Sequence, residues 1–230
     1  MKRILVTGYP HSGTTIVRKI IGNHPQMLDI QKETRTIDPA DVRKAKQLSK
    51  VGVVIKEPFL LRLGKNVRQI KEKYKGYKVI MMMRDPTDIV CSMNMRFNND
   101  IPTNHNFEQW QRYAEIYLDS ISDFAFKLRY EEMFENDYAK LKELFVWLGL
   151  EWSDSVIDVN EDRKTQHNRG IMPRENKDVP PRNHSDNFRT WQINQKIVPM
   201  INKNLDKLDE KNKSKIKSCE LVRKLGYKTV

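Results

Sequence analysis

Apolar residues fall along this chain in short unbroken runs rather than in strict alternation. Arg3–Thr7, Val51–Ile55, Tyr77–Met83 and Phe124–Leu128 are of this kind, and an unbroken, β-branched run is the pattern of a strand buried on both faces. Between the runs, apolar positions recur at helical spacing. They predict helices over Thr14–Gly22, Leu60–Tyr74, Pro86–Phe97, Phe107–Ser122, Tyr138–Leu148 and Thr190–Leu205. Pro86 falls where a first-turn proline is tolerated. Buried strands alternating with helices predict an α/β fold, one three-layer domain over residues 1–230 with a central parallel sheet. Ligands in such folds bind beyond the carboxyl ends of the strands. Glu161–Asn187 is polar, contains prolines and has no period, which predicts a long loop. Loops of that length are frequently lids or binding loops.

Composition narrows the picture. The chain has 230 residues, 38% of them hydrophobic and 31% charged, which is enough to enclose a sizeable core. Met1-Lys2-Arg3 leads straight into a strand and no apolar run has the length of a membrane span, so neither a signal peptide nor a spanning helix is expected. Cys91 and Cys219 form neither a metal-ligand spacing nor a disulfide framework. A reducing cytoplasm is the expected compartment. The net charge of +12 favours anionic ligands. Part of it belongs to the tail "KNLDKLDEKNKSKIKSCELVRKLGY", whose mixed charges at helical spacing read as a solvated helix face.

Two stretches carry candidate chemistry. The first is "ILVTGYPHSGTTIVRKIIGNHP", a strand, a loop from Gly8 to Thr15 and a helix. The loop has the frame of a P-loop, G-x-x-x-x-G followed by hydroxyl residues, but Thr14 stands where the lysine of that motif would be. Backbone N–H groups and the helix N-terminus suit such a loop to an anion, with Ser12, Thr14 and Thr15 adding hydroxyl donors around Gly13. The second is "KVIMMMRDPTDIVCSMNMRF". Arg84 ends a buried strand, Ser92 follows eight residues later and Arg96 four after that. Two guanidiniums and a hydroxyl at one strand end suit a phosphate dianion. A magnesium-binding Walker B acid would directly follow the apolar run, and here Arg84 comes before Asp85.

With these two motifs in place the sequence resembles the sulfotransferases that use 3′-phosphoadenosine 5′-phosphosulfate (PAPS). In that family a P-x-S-G-T-T loop holds the 5′-phosphosulfate, matched by Pro10 to Thr15. A strand followed by R-x-P-x-D-x-x-x-S-x-x-x-R holds the 3′-phosphate, matched from Arg84 through Ser92 to Arg96. The motif pattern is most similar to the protein-tyrosine branch. Glu33-Thr34-Arg35 follows a His-Pro turn, Lys56-Glu57-Pro58-Phe59 follows a strand, Arg129-Tyr130-Glu131 follows another, and Trp191 and Leu225-Gly226-Tyr227 lie near the end.

The resemblance implies a P-loop-like phosphosulfate-binding loop and answers for the missing lysine. In nucleoside triphosphate enzymes that residue serves the β- and γ-phosphates beside a magnesium ion. A phosphosulfate has no γ-phosphate, so no metal is expected. Glu33 would be the general base, Lys56 would stabilise charge on the transferring group, and His11 would stand beside it. Ser12, Gly13, Thr14 and Thr15 would hold the donor's 5′ side, and Arg84, Ser92, Arg96, Tyr130 and Arg189 its remaining parts. The acceptor would be a hydroxyl on a saccharide, a peptide tyrosine or a small molecule. The basic residues Arg163, Lys164, Arg169, Arg174, Lys177 and Arg182 favour an anionic saccharide or acidic peptide, with solvation of the loop as their alternative reading.

The chain also departs from the family. His11 replaces an Arg or Lys, and a histidine's ordinary pKa of about 6.5 leaves it mostly neutral at pH 7. No Ser aligns with the late-loop Ser of the tyrosine branch, where Arg174-Glu175-Asn176 stands nearest. Thr190 replaces a Lys, with Arg189 one residue before it. That branch is anchored in a membrane, whereas no span is expected here. Three other readings stay open: a P-loop kinase or NTPase, a basic nucleic-acid-binding protein, and a homologue that binds donor without transferring it. The second finds no concentrated basic-aromatic strand motif, and no nucleic-acid partner is expected.

Overall fold

The computed structural model describes residues 1–64, 66–96, 103–120, 124–157, 199, 201 and 208–227. The side chain of Arg96, Arg189 with the rest of the Glu161–Asn187 loop and its flanks, and the helix expected over Thr190–Leu205 lie outside what is described. Among the described residues the strands are β1 Lys2–Gly8, β2 Met27–Glu33, β3 Gly52–Glu57, β4 Lys78–Met83 and β5 Ala125–Arg129. They form one sheet in the order β2-β3-β1-β4-β5, and every neighbouring pair is parallel. The helices are α1 Thr14–Gly22, α2 Pro39–Gln47, α3 Val67–Lys73, α4 Pro86–Arg96, α5 Thr103–Asp119, α6 Ala139–Leu148, α7 Glu210–Ser218 and α8 Glu220–Lys224. The expected parallel α/β architecture is therefore present.

The unbroken runs have the meaning assigned to them. Ile4, Val6, Val54, Ile80 and Met82 face one way, into a core shared with Val17, Ile20 and Ile21 of α1 and Leu144 and Phe145 of α6. Their neighbours Leu5, Val53, Ile55, Val79, Met81 and Met83 face the other way, against Trp110 and Tyr113 of α5. All of these strand residues are fully buried, each contributing roughly 1.5–3 kcal/mol. Two cores, one on each side of a single sheet, form the three layers.

Some boundaries differ from expectation. Leu60–Tyr74 is a 3₁₀ turn over Leu60–Arg62 and a separate helix from Val67, divided at Asn66, whose side chain caps the second piece by accepting from the Gln69 N–H. α5 starts at Thr103 rather than Phe107. β2 and α2 were not expected. β2 carries Asp29, Gln31 and Lys32 among its apolar residues and breaks its own ladder. α2 buries only Ala45 and holds its start through Pro39 in the first turn and an Asp38–Asp41 capping box. The basic tail is more than a solvated face, since Ile216, Val222, Leu225 and Tyr227 join the α5 core. Arg129 donates to the Leu225 carbonyl at 2.8 Å.

The chain winds from β1 outward to β2 and back to β3, then crosses to β4 and β5. The winding reverses between β1 and β4, and at such a switch point the loops beyond the carboxyl ends splay apart and leave a crevice. The β1–α1 loop and the β4–α4 turn flank that crevice.

Candidate functional site

The β1–α1 loop is folded too tightly for larger residues. A Cβ on Gly8 would lie 2.4 Å from Ser12 Oγ, and one on Gly13 would lie 2.6 Å from Tyr130 Cδ2. Gly13 also has φ 94°, and His11 has φ 70°, positive values that turn the chain sharply through the loop. α1 opens at Gly13 with no side-chain cap and no acidic residue in its first turn. Its positive end is therefore not neutralised by its own sequence. Ser12 is fully buried, and its Oγ has no hydrogen-bond partner among the described residues. A buried hydroxyl inside a glycine-lined cradle fits an oxyanion.

The second motif closes on this loop. Arg84 Nη1 donates to the His11 carbonyl at 3.2 Å, and Nη2 pairs with Asp88 Oδ2 at 3.1 Å. The guanidinium lies over the Tyr130 ring, 4.4 Å from its centroid, so Tyr130 packs against both Gly13 and Arg84. Ser92 reaches back as well, with Oγ 2.5 Å from His11 Nδ1. His11, Ser12, Gly13, Arg84, Ser92 and Tyr130 thus form one locus joined by named contacts.

Behind this locus the Arg84 backbone is fastened on two sides. Trp110 Nε1 donates to the Arg84 carbonyl at 3.1 Å, and the Asp85 N–H donates to Glu131 Oε1 at 2.9 Å. Burial raises the pKa of Glu131 to about 7, offset in part by that N–H. Burial also raises Asp85, against the hydrogen bonds from Thr87. Two acids with raised pKa values therefore lie directly behind a cluster of anion donors.

The carboxyl ends of β2 and β3 build the other side. Lys56 is 6% exposed. Its Nζ donates to Thr15 Oγ1 at 2.7 Å and pairs with Glu33 Oε1 at 2.9 Å. The base candidate, the charge-stabilising candidate and the loop hydroxyl therefore meet at one ammonium. Arg35 Nε pairs with the buried Glu57 at 3.4 Å while more than half of the Arg35 side chain stays exposed, and Glu57 Oε1 accepts from the Phe59 N–H at 3.1 Å. The Thr34 N–H donates to the Lys56 carbonyl at 2.9 Å, so the Glu33-Thr34-Arg35 and Lys56–Phe59 motifs face each other. Among the described residues no group of three or more His, Cys, Asp or Glu could hold a metal, and no helix is long and apolar enough to cross a membrane.

Residues 55–154 match the model of a sulfotransferase family, a segment containing Lys56, Arg84, Ser92 and Tyr130. Among solved structures, mouse sulfotransferase SULT7A1 complexed with PAP superposes with a TM-score of 0.58 at 18% identity, over 99% of this chain and 85% of that one. The fold is that of a sulfotransferase. Retinol dehydratase in complex with retinol and PAP gives 0.52 at 11% identity, over 100% of this chain and 83% of that one. Its complex with androsterone and inactive cofactor PAP gives 0.51 at 12%, covering 100% and 82%. No curated protein matches the sequence. The matches support the sulfotransferase resemblance as a whole, not the tyrosine branch in particular.

Asp88, Glu57 and Glu131 each stand within a motif singled out in the sequence, but no role was assigned to them there. A carboxylate four residues after Arg84 on a helix is a pairing signal, whereas nothing in the sequence marks Glu57 and Glu131 as buried.

Proposed function

We propose that this chain, as one sulfotransferase-like domain, moves a sulfonate group from 3′-phosphoadenosine 5′-phosphosulfate to an acceptor hydroxyl and releases adenosine 3′,5′-bisphosphate. The observation that carries this reading is the joining of the two anion motifs: Arg84 donates to the His11 carbonyl while Ser92 meets the His11 ring. A loop for one phosphate group and an arginine-serine element for another, in contact, suit a nucleotide phosphorylated at both ends of its ribose. The structures of the mouse enzyme and of retinol dehydratase are complexes with PAP, this bisphosphate.

In this reading the loop N–H groups, Ser12, Thr14 and Thr15 bind the 5′ side, and Arg84, Ser92 and Arg96 take the 3′-phosphate. Tyr130 supports Arg84 from below. Glu33 accepts the proton of the acceptor hydroxyl as its oxygen bonds to sulfur and the bond from sulfur to the 5′-phosphate oxygen breaks. Lys56 and the loop amides stabilise the negative charge left on that oxygen. The transferred group carries too little charge to require a metal.

The exposed guanidinium of Arg35 beside Glu33 favours an acceptor with an anionic neighbour, an acidic peptide or saccharide. Cys91 and Cys219 are both thiols, in keeping with a reducing, cytoplasmic setting.

Calorimetric titration with adenosine 3′,5′-bisphosphate, alongside ADP with and without Mg²⁺, tests the donor. Metal-independent binding of the bisphosphate is expected, with much weaker ADP binding and a loss of roughly 100-fold in Arg84→Ala. ADP binding as tightly, and only with Mg²⁺, would replace this reading with a nucleoside triphosphate site.

A further inference from the structure

β2 and β3 do not keep one register. Asp29 lies opposite Val54, yet Glu33 lies opposite Lys56. Four residues of β2 advance against two of β3, so the strand carries two extra residues just before the base candidate. In an unbroken ladder Gln31 would face Lys56, and Glu33 would lie beyond the strand end. Because side chains alternate with period two, a slip of two residues leaves every side chain on its original face. Glu33 therefore stays on the α1 side of the sheet, where Lys56 and Thr15 are. Bulges next to active sites re-aim side chains in this way.

Something must hold the slipped segment, since its ladder bonds to β3 are interrupted. Arg18, on α1 and only 1% exposed, lies against it. Its Nη1 donates to the Gln31 carbonyl at 2.5 Å, and its Nε lies 3.2 Å from Asp29 Oδ1. One guanidinium thus grips β2 at the last residue before the slip and at the carbonyl inside it. Burying a charge is costly unless it is paired and hydrogen-bonded. Arg18 pairs with Asp29 ahead of the slip, its Nε and Nη2 make no hydrogen bond among the described residues, and its bond to the Gln31 carbonyl is the contact made inside the slip. Gly22 makes the approach possible, because a Cβ there would lie 2.6 Å from Asp29 Cβ.

We propose that Arg18 is the positioning residue of the acceptor side: it locks the two-residue slip in β2 that sets Glu33 opposite Lys56. It couples the halves of the site, because the helix that opens at the donor loop also fixes the candidate base. This rests on the reading of Glu33 as general base for its catalytic consequence, but not for the register itself.

The test uses the full chain and the amide of Thr34, which donates to the Lys56 carbonyl immediately after the slip. Hydrogen exchange is followed by NMR in wild type, in Arg18→Lys and in the double variant Arg18→Met/Asp29→Leu. The double variant removes both buried charges and preserves volume, so the fold is retained. Thr34 protection is expected to fall by about 100-fold in the double variant, with β1 and β3 amides such as Leu5 and Val54 unchanged. Arg18→Lys keeps the charge but not the fork, and is expected to lose protection as well. Bisphosphate affinity should stay within about threefold, since the donor loop is untouched.

Unchanged Thr34 protection in the double variant would overturn the proposal. So would an equal loss at Leu5 and Val54, which would make Arg18 a general stabiliser. Transfer from PAPS to p-nitrophenol supplies the second arm. The Arg18 defect should vanish in a Glu33→Gln background, as for two residues acting through one group. If Glu33→Gln alone leaves transfer intact, the base reading fails while the exchange result still decides the register.

Discussion

The β1–α1 loop is tightly packed: Ser12 and Tyr130 are buried, and Gly8 and Gly13 have no room for a Cβ. At the ends of β2 and β3, by contrast, Glu33 is 38% exposed and Arg35 53%, each held by one buried partner from β3. The enclosed side is built to recognise a ligand of fixed shape, as a nucleotide donor is. The open side offers aimed charges and little shape, which suits an acceptor that arrives on a larger molecule. In the proposed reading, rigidity on one side and access on the other would let a single site bind a donor tightly and still exchange acceptors.

The sharpest way to break this contrast is to remove chemistry from the open side alone. Glu33→Gln keeps the size of the side chain and removes the proton acceptor, so transfer should fall by about 10²–10⁴-fold. Bisphosphate affinity should stay at the wild-type value. Single-turnover transfer and calorimetry on the same preparation check both statements. A matching loss of donor binding would mean that the two sides are not separable. Gly13→Ala is the counterpart on the enclosed side. A methyl group at φ 94° and 2.6 Å from Tyr130 must displace either the loop or the ring, with a strain of about 1–3 kcal/mol. Bisphosphate affinity should fall by roughly 10–100-fold and the melting temperature should drop with it.

How legible each side was in the sequence follows from how it is built. Enclosed loops constrain residue type, and Gly8, Ser12, Gly13 and Thr14 announce themselves because few other residues fit. Continuous strands such as Val79–Met83 are equally legible, since burial on both faces leaves no polar residue to interrupt them. β2 was missed because Asp29, Gln31 and Lys32 interrupt its apolar run, and because Asp29 faces a buried arginine instead of an apolar neighbour. Arg18 itself reads as an ordinary polar position on a helix, although it is almost fully buried. Glu33 was reachable only through family resemblance, since an isolated carboxylate after a weak strand carries no period and no spacing. The link from Arg84 to Ser92 through His11 depends on a loop conformation that residue order does not specify.

A smaller effect sharpens the acceptor side. Arg35→Ala removes an exposed guanidinium and leaves Glu57 bonded to the Phe59 N–H, so stability should change little. Salt-screened charge contacts of this kind are worth about 1 kcal/mol or less. KM for an acidic peptide acceptor should therefore rise by severalfold, and that for a neutral phenol should not move. Equal effects on the two acceptors would remove Arg35 from recognition.

On the donor side the contrast is sharpened by pH, which acts through Glu131. Burial raises its pKa in the folded chain to about 7, above the ordinary carboxylate value near 4.3. Between these values the folded state holds more protons than the unfolded state, so stability declines as pH rises through this window and levels off above it. Its carboxyl lies among Asp85 and Arg84 from the β4–α4 turn, Tyr117 from α5, Arg129 from the end of β5, and Tyr227 from the tail. Burial outweighs the backbone N–H groups and Arg84, which lower the value, so it stays raised. Glu131→Gln removes the titration and retains an oxygen for the Asp85 N–H. Urea unfolding at pH 5 and pH 8 should show a decline of about 1–3 kcal/mol in wild type and a smaller one in the variant. Asp85 and Asp29, whose pKa values burial also raises, contribute to any residual slope. A wild-type slope of the opposite sign would mean that Glu131 is held ionised, with Arg84 and the Asp85 N–H outweighing its burial.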